Sequence, residues 1–202
     1  MESKRRTQEE RSAATRDALI AAARKLWGLR RYTDVGTPEI AAAAGVTRGA
    51  MYHQFADKAA LFRAVVEAVE QDVTARMAVV VAESGASTPT DATRAAVDAW
   101  LEVSADPEVR QLILLDAPSV LGWAEFRDVA QRYSLGMTEQ LLTEAIRAGE
   151  LAEQPVRPLA HVLIGSLDEA AMVIATADDP DSTRRETRQV LQRLVDGMFD
   201  AR

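Results

Sequence analysis

The sequence predicts an all-α fold of about nine helices, and three observations lead to that prediction. Alanine, leucine, glutamate, arginine and glutamine dominate the 202 residues, and these residue types favour helix over strand. Apolar residues recur at intervals of three and four along most of the chain, and no stretch reads convincingly as a strand. Several segments also begin as helices typically begin, with a capping residue, a proline and an acidic residue, as in Asp106-Pro107-Glu108.

The first part of the chain predicts an arm followed by three helices. Residues 1–12 are polar and charged, and we expect a flexible arm there. Helical spacing of apolar residues from Ala13 to Leu29 predicts the first helix. Thr37 stands where an N-cap belongs, and Gly45 ends that short second helix in a position that favours a left-handed residue. Thr47 then caps a third short helix.

The rest of the chain predicts longer helices. Asp57 caps one with a broad apolar face, and the clearest linker is SGASTPTD at residues 84–91. Pro118 interrupts or ends the helix that begins near Asp106, and a long helical pattern follows to Gly149. The last two helices run from about Leu159 to Ala177 and from about Ser182 to Phe199. We therefore divide the chain into an arm (1–12), an N-terminal domain (13–60) and a larger C-terminal domain (61–202).

Charge is distributed unevenly between these parts. The net charge of −7 argues against a nucleic-acid-binding protein. Residues 1–60, however, carry 11 Lys/Arg against 7 Asp/Glu, and this positive balance keeps nucleic-acid binding open.

Other features narrow the function classes. Without cysteine there are no disulfides or thiolate metal sites, and two histidines with no glycine-rich phosphate loop offer little for catalysis. We therefore expect no enzyme, cofactor or metal site. The charged start is not a secretory signal, and His161, Asp168 and Glu169 interrupt the longest apolar tract, so we expect a cytoplasmic protein without a membrane span.

TPEIAAAAGVTRGAMYHQF, residues 37–55, carries the strongest functional signal. Two short helices joined by a glycine-containing turn form the helix-turn-helix pattern, whose second helix can enter the major groove of DNA. Arg48 lies in the first turn of that second helix, where a cation opposes the helix dipole but would pair with an approaching phosphate. The same pattern also occurs as a purely structural corner, so these residues alone leave DNA binding open.

The stretch resembles the N-terminal signature of the TetR (tetracycline repressor) family. The shared features are a threonine, a helix ending in Ala-Gly-Val, a second threonine, a recognition helix of small residues with a tyrosine, then phenylalanine, Asp-Lys and an apolar pair. The resemblance covers roughly residues 13–65. It implies a three-helix DNA-binding domain, followed by a helical domain for ligand binding and dimerisation. It also implies a repressor that binds a palindromic operator as a homodimer and is released by a small-molecule effector.

The resemblance also assigns roles to individual residues. Arg48 would be the main reader of bases, Gly49 and Ala50 would permit close approach, and Gln54 could reach base or backbone. The remaining positions would contact phosphates: Thr37, Thr47, Tyr52, His53 and Lys58.

The C-terminal domain is expected to hold the dimer interface and the effector pocket. Apolar stripes on the last two helices fit a four-helix dimer interface, with packing on their own core as the alternative: Leu163, Leu167, Ala171, Ile174, Val190, Leu191, Leu194, Val195 and Met198. Large apolar residues, with carboxylates among them, are expected to line the pocket: Trp100, Leu112, Asp116, Trp123, Phe126, Tyr133, Asp168 and Met172. The carboxylates favour a cationic or hydroxyl-bearing effector.

Two alternatives remain open besides an enzyme. The chain could be an all-α small-molecule-binding protein whose helix-turn-helix is only structural, and it would then show no salt-dependent binding to DNA. It could also bind DNA under the control of a protein partner, or of none, and a ligand screen would distinguish that case.

Overall fold

The structure is a computed structural model that describes residues 8–200, and the all-α prediction is confirmed. Ten α-helices make up this part of the chain, and their bounds follow in order. They are α1 (Gln8–Trp27), α2 (Thr37–Ala43), α3 (Arg48–Gln54), α4 (Lys58–Glu83), α5 (Pro89–Val103), α6 (Pro107–Val109, Arg110–Asp116 and Ala117–Leu121), α7 (Trp123–Gln131), α8 (Ser134–Arg147), α9 (Val156–Thr176) and α10 (Pro180–Asp200).

The first helix begins earlier than predicted. α1 starts at Gln8, so residues 8–12 are helical, and only residues 1–7 of the expected arm lie outside the described residues. These first positions have no apolar periodicity, which is why the sequence pattern missed them. Glu9 and Glu10 stand in the first turn, where acidic side chains favour the helix dipole, and Gln54 of α3 donates a hydrogen bond to Ser12 (2.8 Å).

The first three helices pack against the start of α4. Trp27 of α1 is fully buried, and its ring meets Phe62 of α4 edge to face at 5.2 Å between ring centroids. Tyr32, in a short 3₁₀ turn after α1, lies 5.0 Å from the same Phe62 ring. These aromatic contacts fix the turn between α1 and α2 against α4.

α4 passes without a break through the predicted domain boundary at residues 60 and 61. Its first half contacts α1, while further along it packs against α5, α6, α7 and α8. Buried residues from both predicted domains, from Leu19 to Val129, belong to one hydrophobic core. The division into two domains therefore stays a prediction.

α6 is the least regular helix and touches both parts of the molecule. Its middle, Arg110–Asp116, is π-helical, with hydrogen bonds that span one residue more than in an α-helix. At its start, Glu108 accepts two hydrogen bonds from Arg24 of α1, at 3.0 and 2.8 Å. Gly122, at φ 76°, then ends α6 and separates it from α7.

The remaining helices form a second core. α9 packs against α8, α10 and α5, around buried residues that include Leu142, Ile164 and Leu191. By length and composition alone, α9 is apolar enough to cross a membrane. Its sequence, however, places Asp168 beside a cavity described below.

Candidate functional site

The helix-turn-helix is built by its caps and its turn. Gly45 adopts the left-handed conformation (φ 68°) and turns the chain after α2. Thr47 caps α3, since its hydroxyl accepts a hydrogen bond from the backbone N–H of Ala50 (3.1 Å). The prediction that Thr37 caps α2 is wrong. Gly36 is the N-cap, and Thr37 is buried in the first turn with its hydroxyl 3.3 Å from that of Tyr52.

Four of the predicted DNA contacts share the exposed side of α3. Arg48, Gly49, Tyr52 and His53 are all exposed, at spacings of one and four residues, while Met51 is fully buried behind them. The guanidinium of Arg48 lies 5.5 Å from the ring of Tyr52. A cation and a phenol therefore stand together at the start of the helix that would enter the groove.

Among the described residues 8–200, no neighbour requires a glycine at position 49. A Cβ built there would have only one neighbour, the Thr47 hydroxyl oxygen at 3.9 Å. Inside a helix, glycine is less favourable than alanine by about 0.5–1 kcal/mol. The residue therefore suits the approach of something from outside, and that agrees with its predicted role.

Gln54 has hydrogen-bond partners within the protein, and its contact with DNA stays a prediction. Its side-chain amide donates to the Ser12 hydroxyl of α1, and its backbone carbonyl lies 3.4 Å from a guanidinium nitrogen of Arg16. The Arg16 guanidinium also covers the Phe55 ring at 4.3 Å. Gln54 is the last residue of α3 and lies on the side that faces α1, so it ties the two helices together.

Lys58 is likewise engaged inside the protein. Its ammonium donates to the backbone carbonyl of Tyr32 (2.5 Å) and lies 3.9 Å from the centre of the Tyr32 ring. Burial lowers the pKa of Lys58. Through these contacts Lys58 holds the turn after α1 in place. A DNA phosphate would have to compete with Tyr32 for the ammonium group.

Three neighbouring chambers that share lining residues lie between α4, α5 and the helices from α6 to α9, and together we call them the cavity. The inner chamber has a volume of about 40 Å³ and contains Glu70 and Asp168. An outer chamber of about 340 Å³ shares Met77, Met137 and Leu167 with it. A third, of about 300 Å³, adjoins it on the side of Asp168.

Two carboxylates and one guanidinium are the charged groups of the inner chamber. Glu70 is only 3% exposed, and its Oε2 atom has no hydrogen-bond partner. Burial raises the pKa of Glu70 to about 7, although a hydrogen bond from Ser134 opposes the shift. Burial likewise raises the pKa of Asp168 to about 6, against the effect of Arg127, whose guanidinium lies 3.9 Å away.

The predicted pocket residues divide into those at the cavity and those elsewhere. Trp100, Phe126 and Asp168 line the inner chamber. Met172 and Trp123 line the third chamber, although Trp123 is 63% exposed. These five placements are compatible with the predicted site.

Three of the predicted pocket residues do not line the cavity. Leu112 is fully buried in the core, and Tyr133 packs against that core. Asp116 accepts a hydrogen bond from the backbone N–H of Tyr32 (3.0 Å), so this carboxylate joins α6 to the N-terminal part. Asp116 interrupts an apolar stretch, as a polar pocket residue would, but it lies at the end of the π-helical segment and binds a backbone donor.

Sequence reasoning missed Glu70 and Arg127. Glu70 is a carboxylate on the buried side of α4, among Val66, Val69 and Val73. That position could have been recognised, because a charged residue within an apolar helix face needs a partner or a function. Arg127 offered no comparable signal, since α7 also carries the charged residues Glu125 and Asp128 close to it.

The predicted dimer stripes are divided between core and surface. Ala171, Ile174, Leu191 and Val195 are buried within their own chain, while Leu163, Leu167 and Met198 are partly buried. Only Val190 and Leu194 are exposed. Two further valines that the sequence did not single out, Val162 and Val173, are exposed on α9. The most apolar face of each helix packs on its own core, and a less apolar face remains outside.

Comparison with known proteins gives the family. Residues 19–65 match the profile described as bacterial regulatory proteins, tetR family, and residues 90–198 match the tetracyclin repressor-like C-terminal domain. Among curated relatives, the Transposon Tn10 TetC protein of Escherichia coli is 24% identical over 158 residues, 78% of this chain and 79% of that protein. The HTH-type transcriptional regulator CymR of Pseudomonas putida is 40% identical over 76 residues, 38% of this chain and 37% of that protein.

Solved structures agree with these matches. A TetR-family transcriptional regulator from Pectobacterium atrosepticum is 34% identical, with a TM-score of 0.78, over 96% of this chain and 98% of that one. RolR in complex with resorcinol shares the fold at 20% identity, with a TM-score of 0.72, over 93% and 90% of the two chains. The chain therefore belongs to the TetR family of transcriptional regulators.

Proposed function

We propose that this protein is a repressor that binds a palindromic DNA operator as a homodimer and releases it when a small molecule occupies the cavity. The observation that carries the proposal is the exposed face of α3. There Arg48 and Tyr52 stand beside Gly49, where the described part of the chain leaves space for a larger side chain. A guanidinium at this position can donate two hydrogen bonds to a guanine edge.

Dimerisation would use the outer faces of α9 and α10. The face on α10 includes Val190 and Leu194, which are both exposed, and Gly197 lies about one turn further along the same face. Val162 and Val173 flank Gly165 on α9, and a Cβ at either glycine would meet nothing within 4 Å. Small residues between exposed apolar ones let helices of two subunits approach closely, and a four-helix bundle would cover these side chains. This arrangement also accounts for the apolar character of α9 without a membrane.

The effector would bind in the cavity beside Glu70. Its walls are largely apolar with a few polar groups, as is usual for small-molecule sites. RolR, which has the same fold, was solved with the small molecule resorcinol, and that supports a ligand of modest size. The residues that line the cavity belong to α4 to α9 and not to α3, so the ligand would act on DNA binding at a distance.

Selection of random DNA duplexes by the full chain tests the proposal. We expect a palindrome, bound with an affinity that falls steeply as salt rises. Recovery of no preferred sequence, together with salt-independent binding, would contradict the proposal and leave a helix-turn-helix that is only structural. Fluorescence anisotropy on the selected duplex then gives an assay for release by small molecules.

A further inference from the structure

The inner chamber contains more negative than positive charge. Glu70 and Asp168 contribute two carboxylates, and among residues 8–200 Arg127 is the single cation that lines the chamber. The guanidinium of Arg127 lies 4.2 Å from the centre of the Trp123 ring. Its nearest distance to the Asp168 carboxylate is 3.9 Å, which is long for an ion pair. One guanidinium at that distance can compensate one carboxylate at most, so a second cation would complete the site.

Glu70 is the group that most needs a partner. Glu70 is only 3% exposed. Its Oε2 atom accepts no hydrogen bond from the described residues, although the side chain lines the inner chamber. An unpaired polar atom in such surroundings is unfavourable, and a donor from a ligand would remove that penalty. Ser134 hydrogen-bonds the carboxylate of Glu70, but among residues 8–200 no donor is found for Oε2. The indole N–H of Trp100 already donates to the carbonyl of Leu167 (3.0 Å).

The sizes of the chambers restrict the shape of the ligand. A volume of about 40 Å³ admits one or two groups the size of water, and therefore only a small head group beside Glu70. The adjoining chamber of about 340 Å³ is lined largely by apolar side chains, among them Val81, Val97 and Leu163. Its polar rim includes Glu144, so an anionic ligand would meet carboxylates in both chambers.

We propose that the ligand of this cavity is a lipophilic amine, with its protonated head group between Glu70 and Asp168 and its apolar body in the outer chamber. The inference rests on the proposed effector-binding function and names the ligand class for that site. An ammonium group supplies both the missing charge and the missing hydrogen-bond donor, whereas a hydroxyl supplies only the donor and a carboxylate supplies neither.

Three probes of the same shape and different head group test this proposal by calorimetry on the full chain. They are phenylbutylamine, phenylbutanol and phenylbutyrate. We expect the amine to bind at least about tenfold more tightly than the alcohol, and the carboxylate to bind more weakly still. Equal affinities for amine and alcohol, a preference for the carboxylate, or binding of none of the three would overturn the proposal.

Glu70→Gln separates the charge from the shape of the chamber. This variant keeps the size of the side chain, and we expect it to weaken amine binding by about tenfold and to change alcohol binding by less than about twofold. Glu153→Gln is the control, because it removes an exposed carboxyl between α8 and α9 that lines none of the three chambers, and it should leave both affinities unchanged. An unaltered amine affinity in Glu70→Gln would contradict the assignment.

The pH dependence gives a second readout. Arg127, Asp168 and Ser134 are the groups that face Glu70 from α7, α9 and α8. The amine binds the ionised carboxylates, so its affinity should rise from about pH 5.5 to about pH 8, and this rise should be smaller in Glu70→Gln. A flat profile for the unmodified protein would contradict the proposal.

DNA binding is measured separately, so the two proposals fail separately. Amine binding without any selected operator would leave the ligand class intact and remove the regulatory function. Operator binding by a protein that takes up none of the probes would remove the ligand class and leave the DNA-binding function.

Discussion

The carboxylate of Asp116, on α6, accepts a hydrogen bond from the backbone N–H of Tyr32 at 3.0 Å. Asp116 is 8% exposed, so the bond is largely shielded from water. The backbone carbonyl of Tyr32 also accepts a hydrogen bond from Lys58, at the start of α4, and the ammonium of Lys58 lies over the Tyr32 ring. The turn after α1 is thus held by residues from two later helices, and α6 reaches the DNA-binding part through it.

Asp116→Ala should destabilise the protein by about 1–3 kcal/mol, because it leaves a buried N–H without an acceptor. Urea denaturation measures the change. Asp128→Ala is a suitable control, since Asp128 forms only surface ion pairs and its loss should change the free energy of unfolding by less than about 1 kcal/mol. Equal effects of the two substitutions would show that the bond to Tyr32 stabilises the fold no more than a surface ion pair does.

Arg48→Ala should weaken specific DNA binding by about 1–3 kcal/mol and relax the preference at one base position, because one bidentate base contact is lost. Selection of random duplexes with the variant measures both effects. Arg147→Ala, at the exposed end of α8, removes a charge far along the chain and should leave the selected sequence unchanged. An unchanged operator preference in Arg48→Ala would rule out its role as base reader.

Gly49→Ala should move stability and DNA affinity in opposite directions. The added methyl group has space within the protein and favours helix, so the free energy of unfolding should rise by about 0.5–1 kcal/mol. Operator affinity should fall, because the methyl group stands on the face that would approach DNA. Thermal denaturation and anisotropy on the same preparation measure the two quantities. A variant that binds its operator as tightly as the parent would show that no close approach occurs there.

Glu70 should make the protein less stable as pH rises. Its folded-state pKa is raised from 4.5 to about 7, so the folded protein binds more protons than the unfolded chain between these values. Stability therefore falls with increasing pH through this window and levels off above it. Glu70→Gln cannot ionise and should be more stable than the parent above pH 7, by on the order of 2–3 kcal/mol.

Urea denaturation between about pH 5 and about pH 8 measures this difference. Asp168 contributes a fall of the same sign at lower pH in both proteins, since its pKa is raised from 3.8 to about 6. Glu144→Gln, which removes an exposed carboxyl, should follow the profile of the parent. A constant difference between Glu70→Gln and the parent across this range would mean that Glu70 does not titrate there.

Leu194→Glu should convert a dimer into a monomer that remains folded. The side chain is 58% exposed in the single chain, so a charge there does not disturb the core, but it would be buried in the proposed four-helix bundle. Sedimentation at micromolar concentration gives the mass, and circular dichroism checks the fold. Val79→Glu, at a site on α4 that is 54% exposed, should leave the mass unchanged. A monomeric parent protein would contradict the interface altogether.

Sequence reasoning found those features whose causes are local. Thr47 and Asp57 were predicted as caps, and both accept hydrogen bonds from the backbone three residues on. The glycine turn and the exposed face of α3 follow from spacing over a few residues. Such features need no knowledge of what packs against them.

The cavity could not be read in the same way. Whether an apolar side chain lines a cavity or fills a core depends on neighbours far away in sequence, and Leu112 and Trp100 look alike in this respect. Asp116 and Asp168 both interrupt apolar stretches, yet one binds a backbone N–H and the other lies beside Arg127. The dimer stripes are divided between core and surface for a related reason, because the strongest periodicity marks the face that packs within the subunit.

The π-helical stretch of α6 holds one residue more than the α-helical turns on either side need. Such a segment is what an insertion into a regular helix leaves behind. Deleting one residue there would restore α-helical winding and leave the residues that follow in nearly their present orientation, because the wider π-helical turn takes up the extra residue. The link to Tyr32 should therefore survive such a deletion, provided that Asp116 itself is kept. The same deletion in a part of the helix that is already α-helical would turn Asp116 away from Tyr32.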